Sequence, residues 1–467
     1  MKVEQIYTNC LAEAAYFIES KGEVAIIDPL RETEPYLEMA AKHNATITYV
    51  FETHFHADFV SGHIDLAKKS GADIVFGPNA SPNFDALIAV DNQEFRVGDV
   101  TIIALHTPGH TMESTTYLLR DESGKDYAIF TGDTLFIGDV GRPDLAVKSD
   151  LTQADLAGHL FDSLHTKIMP LADDVIVYPA HGAGSACGKN MSKETFATLG
   201  HQKEYNYALK INDKEQFIKE VTHGLVAPPQ YFPKNVMMNK NGYDSIDSVV
   251  ERGIQKLTPD EFEKAAEHAL ILDVRHQKDF IESHIPQSMF IGLDGQFAVW
   301  VGTLIEDIQQ PIILVAPEGR EREAVVRLAR VGYDNVQGYL DGGLMAWKQA
   351  GKSTDMLESI SAEEFGNRLN NDTIFTVDVR KQSEYMSEHV IDVQNSPLDF
   401  INKEFIDIPE NQPAYIHCAG GYRSVIAASI LKRKGIHNLI DVAGGYAAIK
   451  ASGSVNVTEY VCPTTML

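Results

Sequence analysis

The run Thr53-His54-Phe55-His56-Ala57-Asp58-Phe59 sets two imidazoles and a carboxylate within five residues and continues through Val60 to Ser61-Gly62. Nitrogen and oxygen donors at that density suit a transition-metal ion, the alternative for such a cluster alone being a solvated His-rich turn. Similar donors recur as His110 in His106-Thr107-Pro108-Gly109-His110-Thr111, Asp133 in Thr131-Gly132-Asp133-Thr134-Leu135, and His181 in Pro179-Ala180-His181-Gly182. A different chemistry sits in Cys418-Ala419-Gly420-Gly421-Tyr422-Arg423-Ser424. A thiolate at the start of a helix faces backbone N–H groups and the positive dipole end, which makes it nucleophilic, and glycines let the backbone close around the sulfur.

Each donor cluster follows a short apolar, β-rich run: Ile47-Thr48-Tyr49-Val50-Phe51, Val100 to Leu105, Tyr127 to Phe130 and Val175 to Tyr178. Those runs read as strands, so four strands deliver ligands at their carboxyl ends, where α/β sheets place their sites. Further strands are expected over Val24–Pro29 and Asp73–Phe76, and helices over Glu34–His43 and Ile64–Ser70, the last ended by Gly71. The stretch between Val226 and Asn241 holds Ala227-Pro228-Pro229-Gln230-Tyr231-Phe232-Pro233, too proline-dense for a helix, and is expected to be extended.

The 467 residues exceed one core and suggest roughly three domains. A formal net charge of −26 repels nucleic acid and anionic membranes, so neither is expected as a partner. Four cysteines without a CxxC pair fit a reducing compartment. The first residues lack a basic-then-apolar leader pattern and no apolar run reaches spanning length, so a cytoplasmic protein is expected.

The motifs THxHADxxSG, TPGHT, TGDTLF and PAHG, in this order, resemble the metallo-β-lactamase superfamily, in particular its glyoxalase II-like branch. The run Gly138-Asp139-Val140-Gly141-Arg142-Pro143-Asp144 resembles that branch's persulfide dioxygenases. The resemblance covers roughly residues 1 to 230 and implies an αββα sandwich with metal at the sheet edges. It departs at Phe59, where dinuclear zinc hydrolases carry a second His directly after the motif Asp. An aromatic ring cannot ligate a metal, so one ion is expected rather than two. The dioxygenase pattern implies His54, His110 and Asp133 as ligands of a mononuclear non-haem Fe(II), Zn being the alternative. His56, Asp58 and His181 would then orient those ligands, and Arg142 would hold a substrate carboxylate. Cys187, six residues beyond His181, is a candidate sulfur relay or a buried bystander thiol.

Beyond residue 251 the sequence repeats at about one hundred residues. Leu272-Asp273-Val274-Arg275 matches Val377-Asp378-Val379-Arg380, and Gly342-Gly343 matches Gly444-Gly445. Both copies resemble rhodanese domains, α/β folds with parallel sheets. The expected domains are 1–251, 252–355 and 356–467. Four residues separate Cys418 from Arg423, one fewer than in the tyrosine-phosphatase cradle, which suits sulfur rather than phosphate. Cys418 and Arg423 are the expected catalytic pair, with Gly420, Gly421 and Tyr422 binding substrate. The glycine pairs align Ala316 with Cys418, so the first copy lacks a thiol and reads as a scaffold or docking domain.

The resemblance implies a cytoplasmic enzyme of sulfide detoxification. Iron-dependent oxidation of glutathione, coenzyme A or cysteine persulfide by O2 would give sulfite, and sulfur transfer through Cys418 would convert sulfite into thiosulfate. A homo-oligomer is the assembly it implies. A zinc thioester hydrolase of glyoxalase II type and a sulfur-carrier or persulfide-sensing module are the rival expectations.

Overall fold

The computed structural model describes residues 1–147 and 151–462. The chain divides into two compact units, Met1–Ile246 with Ala329–Gly332, and Asp247–Leu328 with Tyr333–Leu467.

In the first unit one six-stranded sheet runs, in spatial order, Lys2–Thr8, Glu13–Ser20, Glu23–Ile27, Thr46–Glu52, Asp73–Phe76, Leu87–Ile88. The other runs Ala197–Thr198, Ile176–Pro179, Asp126–Gly132, Thr115–Arg120, Val100–His106, Gln93–Val97. Side chains alternate along a strand, so each sheet has two faces to bury. Tyr16, Ile18 and Phe51 of the first sheet meet Ile102, Tyr117, Leu119 and Phe130 of the second. The opposite face of the first sheet, with Phe17, Val24, Ile26 and Val50, packs against Tyr36 and Ala40 of helix Glu34–Lys42 and Leu66 of helix His63–Ser70. Ile103, Leu118, Ile129 and Val177 of the second sheet lie under Leu160 of helix Gln153–Ser163 and Phe217 of helix Lys214–Thr222. Helix, sheet, sheet, helix is the αββα sandwich the motifs implied.

The strands that lead into the donor clusters stand where the apolar runs put them. The strand read over Val24–Pro29 stops at Ile27, because Asp28 takes a positive φ of 49° and turns the chain. The proline-rich stretch is a correction: Phe232–Asn241 is a helix, not an extended segment. Pro233 lies in its first turn, where a missing N–H removes no helical hydrogen bond.

In the second unit each repeat builds a five-stranded parallel sheet with the same strand order. The first is Lys256–Leu257, Val336–Leu340, Ile312–Val315, Leu270–Asp273, Met289–Phe290, and the second Glu358–Ile360, Leu439–Val442, Ala414–His417, Phe375–Asp378, Gln394–Asn395. The repeated Asp-Val-Arg is one structural device used twice. Arg275 forks onto Asp273 and reaches Ser283 O at 2.8 Å, while Arg380 forks onto Asp378 and reaches Glu388 O at 2.9 Å. Each pair ties a strand end to the close of the following helix. The boundary expected at residue 251 falls inside helix Ile246–Gly253, whereas the main segment of the first compact unit closes at Ile246. No helix among the described residues is long and apolar enough to cross a membrane.

The unexpected helix holds the first donor loop. Buried Asn239 donates to His56 O and Phe59 O, both at 2.8 Å, and accepts from Ser61 N at 2.9 Å. Asn239→Ala leaves these three backbone groups without partners at a cost of about 2 kcal/mol or more. Hydrogen exchange at the Ser61 amide is therefore expected to accelerate roughly 30-fold or more, with the Thr46–Glu52 strand unchanged; equal protection in the variant would contradict this.

Candidate metal centre and thiol cradle

His54, His110 and Asp133 converge at the strand ends, with ligating atoms all within 4.8 Å of one another and all three residues buried. Hydrogen bonding sets the orientation of both rings. His110 Nδ1 lies 2.9 Å from Arg142 O, and a carbonyl only accepts, so Nδ1 carries the proton and Nε2 is left to face Asp133 Oδ2 at 3.4 Å. Thr53 donates its hydroxyl proton to Asp28 Oδ2 at 2.8 Å, so its oxygen accepts from His54 Nδ1 at 3.0 Å, and His54 Nε2 also faces Asp133 Oδ2, at 3.8 Å. Burial keeps both imidazoles neutral, assisted at His54 by the neighbouring His56. Asp133 Oδ2 has no hydrogen-bond partner. Two neutral nitrogen lone pairs and an orphaned carboxylate oxygen aimed at one point fit a metal ion. Gly132 precedes the carboxylate because a Cβ there would stand 2.6 Å from the Thr53 side chain.

Behind the ligands lies a layer of charge. His181 Nδ1 is 2.7 Å from Asp133 Oδ1 and its Nε2 is 2.8 Å from Asp58 Oδ2. Burial opposes charging of His181 most, but the two carboxylates outweigh it and raise its proton affinity. Burial likewise pushes Asp133 up, yet His181, then His110 and His54, hold it below the usual carboxylate range. His56 is fully buried, with Nε2 3.1 Å from Asp28 Oδ1 and its ring 4.4 Å from that of Phe59. Phe59 itself is buried and supplies no donor. His56, Asp58 and His181 thus stand around the three converging donors.

Arg142, expected to hold a substrate carboxylate or else to form an ion pair, is paired in this structure with protein groups. Its guanidinium binds Asp144 at 2.6 and 2.7 Å and donates to Ala186 O and Val226 O, all inside the protein. Its backbone does more for the site, because its C=O orients His110 and its N–H holds Cys187 O at 3.0 Å. Cys187 is buried within 4.8 Å of Asp58 and His181. Burial, and then the charges of Asp133 and Asp58, push its thiol well up, which disfavours the thiolate a sulfur relay needs.

In the second unit Cys418 follows strand Ala414–His417 and precedes helix Arg423–Arg433. Gly421 N–H points at its sulfur at 3.1 Å and the Ser424 hydroxyl at 3.6 Å. The start of the next helix closes the loop from behind, with Tyr446 N on Cys418 O at 2.6 Å. A Cβ on Gly445 would meet that carbonyl at 2.3 Å, which explains the glycine pair. Arg423 is forked onto Glu384 at 2.6 and 2.8 Å, and Glu384 also accepts from Lys381 N. The cavity over the thiol, of about 350 Å³, is lined by Cys418, Gly420, Tyr422, Arg423, Lys381 and Glu384, and by Gln296 and Trp300 of the first repeat. Tyr422 Oη donates to Gly292 O at 2.7 Å, so its ring braces the cavity by bonding to the other repeat. The thiol-less copy is thus part of the thiol's pocket wall, beyond the scaffold role read from its sequence.

Asp28, Asn239, Lys381, Glu384, Gln296 and Trp300 were not singled out from sequence. Asp28 carried a usable signal, a carboxylate closing an apolar strand, whereas the others reach their sites only through tertiary packing.

The profile of the Metallo-beta-lactamase superfamily matches residues 8–181, and that of the Rhodanese-like domain matches 258–350 and 361–452. A cytoplasmic hydroxyacylglutathione hydrolase of Arabidopsis thaliana is 38% identical over 127 residues, 27% of this chain, and the match spans about half, 48%, of that relative's length. The mitochondrial persulfide dioxygenase ETHE1 of Homo sapiens is 29% identical over 210 residues, covering 44% of this chain and 74% of the relative. A crystal structure of a metallo-beta-lactamase from Staphylococcus aureus subsp. aureus COL superposes with a TM-score of 0.64 at 30% identity, covering 73% of this chain and 98% of that one. The chain belongs to the metallo-beta-lactamase superfamily, its metallo-beta-lactamase domain being followed along the sequence by two rhodanese-like domains.

Proposed function

We propose that the first domain is a mononuclear Fe(II) persulfide dioxygenase and that Cys418 is a sulfurtransferase nucleophile. The overall conversion of the first domain would be persulfide, O2 and water to thiol and sulfite. In the second, the Cys418 thiolate would take the outer sulfur of a persulfide, releasing thiol, and pass it to sulfite to give thiosulfate and the free thiolate. The substrates are low-molecular-weight persulfides of the glutathione, coenzyme A or cysteine class, and the setting is sulfide detoxification in the cytoplasm.

The observation that carries this reading is the donor set. His54 and His110, each with Nδ1 tied back to the protein, and Asp133 form a set of two imidazoles and one carboxylate, the kind that leaves coordination positions open on a non-haem iron. Phe59, buried beside His56, puts no imidazole where a second ion would need it. His181 already has both nitrogens on carboxylates. An Fe(II) ion held there would supply one-electron chemistry with O2 next to a bound sulfur. The protein's part is to fix two neutral imidazoles and keep Asp133 ionised through His181. At the other site, the Gly421 N–H and Ser424 hydroxyl stabilise negative sulfur while Lys381 and Arg423 face anionic sulfur species.

A zinc thioester hydrolase is the second reading. It is favoured by the hydroxyacylglutathione hydrolase relatives and by the clustering of Asp58, His181 and Cys187 beside the first three donors.

Oxygen uptake by iron-reconstituted protein with glutathione persulfide, paired with metal analysis, separates the two. Uptake with sulfite formed and one ion per chain is expected, whereas zinc at full occupancy with thioester cleavage and no uptake would overturn the dioxygenase reading. Phe59→His restores the missing imidazole and is expected to raise bound zinc towards two ions per chain and to suppress O2 uptake; an unchanged stoichiometry would count against the reason given for a single ion. Cys418→Ser is expected to abolish thiosulfate formation while sulfite production persists, and retained sulfur transfer would remove Cys418 from its role.

A further inference from the structure

Strand Leu439–Val442 is buried along its whole length, and its one ionisable residue is Asp441. Ile440 and Val442 face the apolar core of the repeat, which leaves Asp441 on the side of helix Arg423–Arg433. There Ser359 donates to its Oδ2 at 3.1 Å across the paired strand, and the nearby Ser424 hydroxyl lowers its proton affinity. Ser424 is the residue whose hydroxyl stands 3.6 Å from Cys418 Sγ. A hydroxyl has a single proton to give. While Ser424 directs it at the sulfur, Asp441 Oδ1 is buried without a donor. A lone carboxylate in such a place costs several kcal/mol unless it carries a proton itself.

The first repeat supplies an internal control. Aligned through Ala316 and the glycine pair, it carries Arg322 where the second has Ser424 and Tyr339 where the second has Asp441, and the strand partner of Tyr339 is Lys256. The copy without the thiol lacks both the serine and the acid.

We propose that Asp441, acting through Ser424, holds the proton that Cys418 gives up when it becomes a nucleophile. This rests on the reading of Cys418 as the sulfur-carrying residue. In the resting arrangement the S–H donates to Ser424 Oγ and the serine O–H donates to the Asp441 carboxylate. In the reactive one the S–H bond has broken and a new Oγ–H bond points at the thiolate, while the former serine proton sits on Asp441 and donates back to Oγ. One proton has shifted along two hydrogen bonds, and the buried site has gained no net charge. Asp441 does not touch the sulfur; it is a positioning residue.

Burial pushes Asp441 up to about 6, with the two serines pulling the other way, so the acid can take up or release a proton near neutrality. The charged groups facing Cys418 from other elements are Lys381 and the Arg423–Glu384 pair at the cavity. Behind the loop lie His417, kept neutral by burial, and the Asp378–Arg380 pair. Asp441 itself is faced by the neutral hydroxyls of Ser424 and Ser359.

The test is the pH dependence of Cys418 alkylation by iodoacetamide in the full-length protein, followed by mass spectrometry from about pH 5 to 9. A shared proton gives the wild type a reactive plateau on the acid side and a second rise at higher pH. Asp441→Asn and Ser424→Ala are each expected to collapse this to one step, with the rate at neutral pH lower by roughly tenfold or more. Ser424→Ala tests the relay if Asp441→Asn does not fold. A single-step wild-type profile, or a folded variant that keeps two steps, overturns the relay. The sulfurtransferase reading fails separately, through sulfur transfer that survives Cys418→Ser.

Discussion

The Asp133 carboxylate is the constraint on which the metal-binding half depends. One oxygen is fastened to His181 and the other faces His54 and His110, so the acid joins the charged layer behind the site to the neutral donors in front of it. Burying that charge is tolerable only because His181 in turn leans on Asp58. The geometry requires four strand ends to arrive together, and the two stacked sheets bring them there. The fold is thus arranged so that an expensive buried anion has one side satisfied and one side open.

Much of this was legible in the chain. Short apolar runs ending in His or Asp located the ligand strands, because a strand buried on both faces has few other ways to be written. The Asp-Val-Arg and Gly-Gly repeats announced two copies of one fold, since both motifs answer to fixed backbone demands. Phe59 was readable as a missing ligand because the place of a donor in a motif is a local property.

What escaped sequence reading is what distance along the chain conceals. Asn239 pins the first donor loop from about 180 positions away, on a helix whose prolines argued against it. The pairing of Arg142 with Asp144, two residues along, became visible only in the folded chain. The role of the thiol-less repeat could not be read from the absence of cysteine, for its contribution is a surface: Gln296 and Trp300 against the thiol and Gly292 against Tyr422.

Trp300 has a practical corollary. The sequence contains two tryptophans, and the other, Trp347, is buried in the core of the first repeat. On the proposed role of Cys418, the charge and bulk of the sulfur would change at each turnover beside an indole on the wall of the same cavity, a built-in optical reporter. Trp300 emission would then be the natural readout for loading and unloading of the thiol, without any attached dye.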